Sequence, residues 1–108
     1  MTFHRALDLA ALPPDALLPV SVAGREVVLA RRGDTVWALA GRCSHEDASL
    51  ADGYLEGDTV ECPRHGARFD LQTGRPTLPA TQPIATYPVR LAEGAVWIGV
   101  PDADAIEE

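Results

Sequence analysis

The chain has no apolar run approaching the roughly 20 residues that a helix needs to cross a bilayer. Its start, MTFHRALDLAALPP, lacks the basic opening and unbroken apolar stretch of an export signal, because Asp8 interrupts it and Pro13-Pro14 ends it. A soluble, cytoplasmic protein is therefore expected. Basic residues are scarce: 9 face 16 acidic ones, the formal net charge is −7, and no block of arginines stands out. Phosphate-backbone binding rests on clustered cations, so nucleic acid is excluded as a partner and a basic protein surface suits the charge better. Also missing are the GxGxxG fingerprint of a dinucleotide site, a 2-His-1-carboxylate set beyond the histidines discussed below, and any internal repeat. Nothing in the chain reads as a substrate site, and the chain is not expected to be an enzyme.

What is present reads as one globular domain over residues 1–108, with 46% hydrophobic and 23% charged residues. A chain of this length buries roughly two-thirds of its unfolded surface and needs no disulfide staple. Nine Gly and nine Pro favour turns and short strands over long helices. Short apolar runs recur at 18–23, 26–31, 35–40, 59–62, 67–71, 84–91 and 95–100, several of them rich in β-branched or aromatic residues. Turns are expected at Gly24, Gly33-Asp34, Thr73-Gly74 and Glu93-Gly94, and a weaker one after Pro13-Pro14 near Asp15. The class is all-β. Trp37, Trp97 and Tyr87 fall in strand-like runs and read as core aromatics. Residues 43–57 and 62–66 break the pattern as loops, residues 76–83 (PTLPATQP) form a proline-rich segment, and 101–108 form an acidic tail.

Both cysteines and two of the three histidines share one arrangement: Cys43-Ser44-His45, sixteen residues, then Cys62-Pro63-Arg64-His65. Each loop offers one thiolate and one imidazole, and Gly41, Gly53, Pro63 and Gly66 suit the bends around them. Three readings compete. Structural zinc uses such ligands, but zinc modules space them as C-x2-4-C and H-x3-5-H, whereas each half here is mixed. A Cys43–Cys62 disulfide leaves the matched histidines unexplained and is disfavoured in a reducing cytosol. A [2Fe–2S] cluster with two thiolates on one iron and two imidazoles on the other uses all four residues. His4 lies outside both loops and reads as an ordinary near-terminal side chain.

CSH followed by CPRHG, then ARFDLQTGR and the proline-rich loop, resembles the Rieske family, most closely the small ferredoxins that serve bacterial ring-hydroxylating dioxygenases. The likeness continues through DASLADGYLEGDTVECP and LPATQPIATYPVRL, about the central and C-terminal two-thirds of the chain; the first forty residues match only in general strand pattern. The resemblance implies three stacked antiparallel β-sheets with two cluster-binding loops at one end and the proline-rich segment covering them. It implies that Cys43 and Cys62 bind the inner iron, and that His45 and His65 bind the outer iron through Nδ1 with Nε2 toward solvent. It further implies a monomeric one-electron carrier between a flavin-dependent NAD(P)H reductase and a terminal oxygenase. The alternative is a Rieske subunit of another redox complex, such as an assimilatory nitrite reductase small subunit or an iron–sulfur assembly accessory.

The chain departs from the membrane-complex members of that family at informative positions. Their two extra cysteines, which form a disulfide, are replaced by Ala48 and Arg64, and their Ser and Tyr hydroxyls, which meet cluster sulfurs, by Ala67 and Phe69. Hydrogen bonds to sulfur favour the more negative reduced cluster, so a potential near the low end of the Rieske range, about −150 mV, is expected. Two ferric ions, two sulfides and two thiolates sum to zero charge, so reduction is easier than with four thiolates, and any pH dependence belongs on the alkaline side, where the imidazoles ionise. Arg64, Arg68, Glu46, Asp47, Asp52, Glu56 and Asp58 surround the loops, either as a solvated face or as charges that orient a docking partner.

Overall fold

A computed structural model describes residues 1–44, 48–64 and 66–101. Among the described residues ten strands make three antiparallel sheets, and there is no α-helix. β1 (Thr2–Asp8), β10 (Ala95–Val100) and β9 (Val89–Ala92) form the first, in the order β1-β10-β9. β2 (Ala16–Val22), β3 (Arg25–Arg32), β4 (Thr35–Ala40) and β8 (Thr86–Tyr87) form the second, in chain order. β5 (Tyr54–Glu56), β6 (Thr59–Glu61) and β7 (Arg68–Asp70) form the third.

The four-stranded sheet lies between the other two, as its side chains show. Along β3, Val27 and Leu29 enter one buried cluster with Val96, Ile98 and Val100 of β10, while Val28 and Ala30 enter another with Val60 and Phe69 of the third sheet. Successive strand side chains point to opposite faces, so a strand covered on both faces reads as an unbroken apolar run. All four residues from Val27 to Ala30 are fully buried. The expected all-β class and three stacked antiparallel layers are what the chain adopts.

Differences in detail have local causes. The run 84–91 is cut in two at Pro88, which has no N–H to give a ladder. β1 lies outside the expected runs because its pairing with β10 slips between Arg5 and Leu7, which breaks the alternation of a simple strand. The turn at Asp15 is present with φ of 56°, but a short 3-10 turn at Leu9–Ala11 precedes it. Trp37 packs on one core cluster and Tyr87 on the other. Trp97 does not belong to the core: it lines a surface cleft with Phe3, Arg90, Ala92 and Glu93, because its neighbours Val96 and Ile98 take the inward positions.

One corner positions the far end of the third sheet. The Asp70 carboxylate accepts the N–H groups of Gln72 and Thr73 at 2.8 and 2.9 Å, turning the chain after β7. Gly74 follows with φ of 77°, and a Cβ there would collide with the Ile84 carbonyl. Glycine is required on both counts.

Candidate metal centre

Cys43 and Cys62 are 7% and 1% exposed and belong to the same buried cluster, so the fold brings both thiols to one place. No disulfide joins them. Their loops are built alike. In the first, Arg42 and Ser49 form an antiparallel bridge, and inside it the Cys43 N–H donates to the Ala48 carbonyl at 3.0 Å. In the second, Glu61 and Arg68 are paired across β6 and β7, and inside that pair the Cys62 N–H donates to the Ala67 carbonyl at 2.7 Å. Each cysteine therefore opens a six-residue loop closed on the carbonyl five positions later. His45 falls inside the span of the first loop and His65 inside that of the second. Both histidines lie outside the described residues, as do Glu46, Asp47 and the tail beyond residue 101.

The rest of the sheet system holds these frames in place. Gly41 donates to the Glu26 carbonyl at 3.0 Å and accepts from Leu50 N–H at 2.8 Å, which ties the first loop to β3, and an Arg42–Glu26 ion pair at 3.1 Å reinforces this. The Ser49 hydroxyl accepts from Ala51 N–H and caps the 3-10 turn Leu50–Asp52. Gly53 then passes so close to β6 that a Cβ would collide with the Glu61 carbonyl, just before Cys62. The segment that follows the first loop thus packs its backbone against the strand that leads into the second.

The proline-rich segment is anchored to both. Thr77 N–H donates to the Arg68 carbonyl at 2.8 Å, Arg68 N–H donates to Thr77 Oγ1 at 2.9 Å, and the Ser44 hydroxyl donates to the Gln82 carbonyl at 2.5 Å. Ala80 is buried in the same cluster as the cysteines. Of these anchors, Ser44 lay beside the motif in sequence without a reason to single it out; Thr77 and Gln82 carried no signal at all, because their partners depend on sheet register.

The donor chemistry fits a [2Fe–2S] group. Apart from the two cysteines, the buried members of this cluster are Val, Ala, Leu, Phe and Ile, with no hydroxyl among them. Ala67 and Phe69 are among the most buried, at 1% and 0% exposed. Two thiolates in such a hydrocarbon wall carry a heavy desolvation penalty unless bound metal cations offset their charge. Among the described residues no group of three or more His, Cys, Asp or Glu side chains gathers to hold a metal. Positions 48 and 64 offer no second thiol pair. Arg68 and Glu61 form an ion pair at 3.2 Å beside the second loop, while Asp52, Glu56, Asp58 and Arg64 take no place in the buried cluster.

Comparison with known proteins agrees with this geometry. The model of the Rieske [2Fe-2S] domain matches residues 3–88. The 3-phenylpropionate/cinnamic acid dioxygenase ferredoxin subunit of Escherichia coli (strain K12) is 48% identical over 79 residues, covering 71% of this chain and 74% of that one. The ferredoxin of carbazole 1,9a-dioxygenase from Nocardioides aromaticivorans IC177 superposes with a TM-score of 0.86 at 36% identity, covering 91% of this chain and 97% of that one. A ferredoxin solved in complex with the reduced oxygenase of carbazole 1,9a-dioxygenase superposes at 0.82 with 33% identity, covering 89% and 91%. With two buried thiols in matched loops and a family match over most of its length, this chain belongs to the Rieske [2Fe-2S] family and its cofactor is a Rieske-type cluster.

Proposed function

We propose that the chain is a one-electron carrier that receives electrons from an NAD(P)H-dependent flavin reductase and delivers them to a terminal ring-hydroxylating oxygenase. In this reading Cys43 and Cys62 hold one iron of the cluster and His45 and His65 the other. The observation that carries it is the pair of matched six-residue loops, each opened by a buried cysteine and each spanning one of the two histidines. When bound, the cluster supplies reversible exchange of a single electron.

The chain's own residues set the terms of that exchange. The hydrocarbon wall that includes Leu50, Val60 and Phe69 keeps water from the thiolates. None of its buried members carries a hydroxyl, so the wall itself adds no donor that would favour the more negative reduced state, which suits a donor to oxygenases. Ser44 and Thr77 hold the proline-rich segment against the loops. The relatives named as dioxygenase ferredoxin subunits support the carrier role, and the complex of one such ferredoxin with its oxygenase supports the second partner. Substrate chemistry then belongs to the oxygenase, and this chain is the electron-transfer component. The reading is completed by a single unit over residues 1–108 acting as a monomer in the cytoplasm; no helix among the described residues is long and apolar enough to cross a membrane.

The test is reconstitution from purified reductase, this protein and oxygenase. Product formation is expected to need all three and to rise in proportion to this protein while it is limiting. A rate indifferent to added protein, or isolation of the chain only as a fixed-stoichiometry subunit of an enzyme, overturns the proposal.

A further inference from the structure

The two metal loops open beside opposite charges. Arg42 precedes Cys43 and Glu61 precedes Cys62, so a guanidinium stands at the start of one loop and a carboxylate at the start of the other. Arg42 pairs with Glu26 of β3 at 3.1 Å, and Glu61 pairs with Arg68 of β7 at 3.2 Å. The two pairs differ in shelter. Arg42 and Glu26 are about equally exposed, at 51% and 46%, whereas Glu61 is 25% exposed against 49% for Arg68. The Glu61 carboxylate is the most sheltered of these four groups, and partly buried charges are screened less by salt.

The two carboxylate oxygens of Glu61 face different neighbours. Oε1 accepts from Arg68 Nε, while Oε2 lies 3.7 Å from where a Cβ on Gly66 would stand, inside the second loop. The backbone fixes this placement. Glu61 and Arg68 are directly opposed across β6 and β7, and the next residues along, Cys62 and Ala67, are joined by the 2.7 Å bond from the Cys62 N–H. Directly opposed residues of a ladder share a face, so the ion pair forms where the loop closes. A sheltered carboxylate one residue from a thiolate ligand opposes any negative charge added to the cluster, and a guanidinium on that carboxylate offsets it. The buried wall carries no hydroxyl to share this task, which leaves more of the balance to fixed charge.

We infer that Glu61 and Arg68 tune the electron affinity of the cluster as an opposed pair: the guanidinium favours the reduced state, the carboxylate disfavours it, and their ion pair holds the two in balance. The inference rests on Cys62 as a cluster ligand and is the same whichever protein supplies or takes the electron. Sign separates it from a structural role. Either substitution breaks the same contact, so a role in packing moves both variants the same way, whereas a role in charge moves them in opposite directions.

The experiment is redox titration of the purified holoproteins at low ionic strength, followed by visible circular dichroism, with urea denaturation alongside. Arg68→Gln is expected to lower the equilibrium constant for reduction about threefold and Glu61→Gln to raise it about threefold, the size of effect that charges at half-exposed sites exert. For one electron that is about 30 mV in either direction. The double variant should return to within about 1.5-fold of wild type, Arg68→Lys should stay there because it keeps the charge, and the single shifts should shrink at about 1 M salt. Asp8→Asn removes the same charge from β1, on the far side of the four-stranded sheet, and should leave the constant unchanged. Shifts of one sign in both single variants, or none larger than that of Asp8→Asn, overturn the inference while the cluster assignment stands. If Arg68→Gln loses its cluster, Glu61→Gln decides alone: a constant that falls or stays fixed overturns the inference. A wild type with no reversible one-electron transition removes the cluster assignment and the inference together.

Discussion

Ala67 and Phe69 sit in the same buried cluster as both cysteines, at 1% and 0% exposed, and that cluster has no hydroxyl among its members. Ala67→Ser places a donor in this wall. A hydrogen bond to a charged group contributes about 1.5–3 kcal/mol, and only the part by which it favours the reduced cluster moves the potential. If that part is about half, the difference is about 0.75–1.5 kcal/mol; with a tenfold change in equilibrium, about 1.4 kcal/mol, corresponding to about 59 mV for one electron, the potential rises by about 30–60 mV. Phe69→Tyr offers a second donor, and the pair together should raise it by about 60–120 mV. Each added oxygen also crowds a fully packed site, with an expected loss of about 1–3 kcal/mol in stability. Redox titration of the holoproteins followed by visible circular dichroism, with urea denaturation alongside, measures both effects. A potential that stays fixed or falls in variants with an intact cluster would refute the reasoning that a hydroxyl placed in this wall favours the reduced cluster.

Gly74→Ala should destabilise by about 3 kcal/mol or more, because the new Cβ meets the Ile84 carbonyl at a φ of 77°, whereas Gly94→Ala meets nothing within 4 Å and should cost only about 1 kcal/mol; urea melts of the two variants give the comparison. Ser44→Ala removes the hydroxyl that holds Gln82, so cluster bleaching by a chelator should accelerate while the visible spectrum of the intact protein is retained. The N–H groups of Thr73 and then Gln72 hold the Asp70 carboxyl below its ordinary value of 3.8. A carboxyl lowered in the folded state adds stability that is fully present above that ordinary value and is lost as pH falls toward the depressed one. The melting temperature of wild type should therefore drop relative to Asp70→Asn only once the pH falls below about 4, and a gap between the two that is constant across that range would contradict it.

The sequence and the structure agree best where local chemistry is strong. The apolar run from Val27 to Ala30 announces a strand covered on both faces, and the two-residue turns after β2, β3 and β9 follow their Gly-containing pairs. β5 escapes notice because three residues carry too little periodicity inside a polar stretch, and Trp97 is misplaced because strand propensity does not tell the inner face of an outer sheet from its solvent side. All four candidate ligands are visible from spacing, and the fold brings together the two that are described, Cys43 and Cys62. What spacing hides is the equality of the loop frames. Cysteine-to-histidine separations differ between the halves, yet both loops close on the carbonyl five residues after the cysteine. The Ser44–Gln82 clasp is hidden for a related reason, since it joins segments far apart in sequence.

The central claim is that one cluster is shared by Cys43, His45, Cys62 and His65, and electron spin resonance of the dithionite-reduced protein with resolved nitrogen couplings tests it most directly. Two distinct imidazole nitrogen couplings are predicted in wild type, with one of them absent in His45→Cys and the other absent in His65→Cys where the cluster still assembles. A reduced cluster with no nitrogen coupling, or with both couplings retained in either variant, would contradict the assignment.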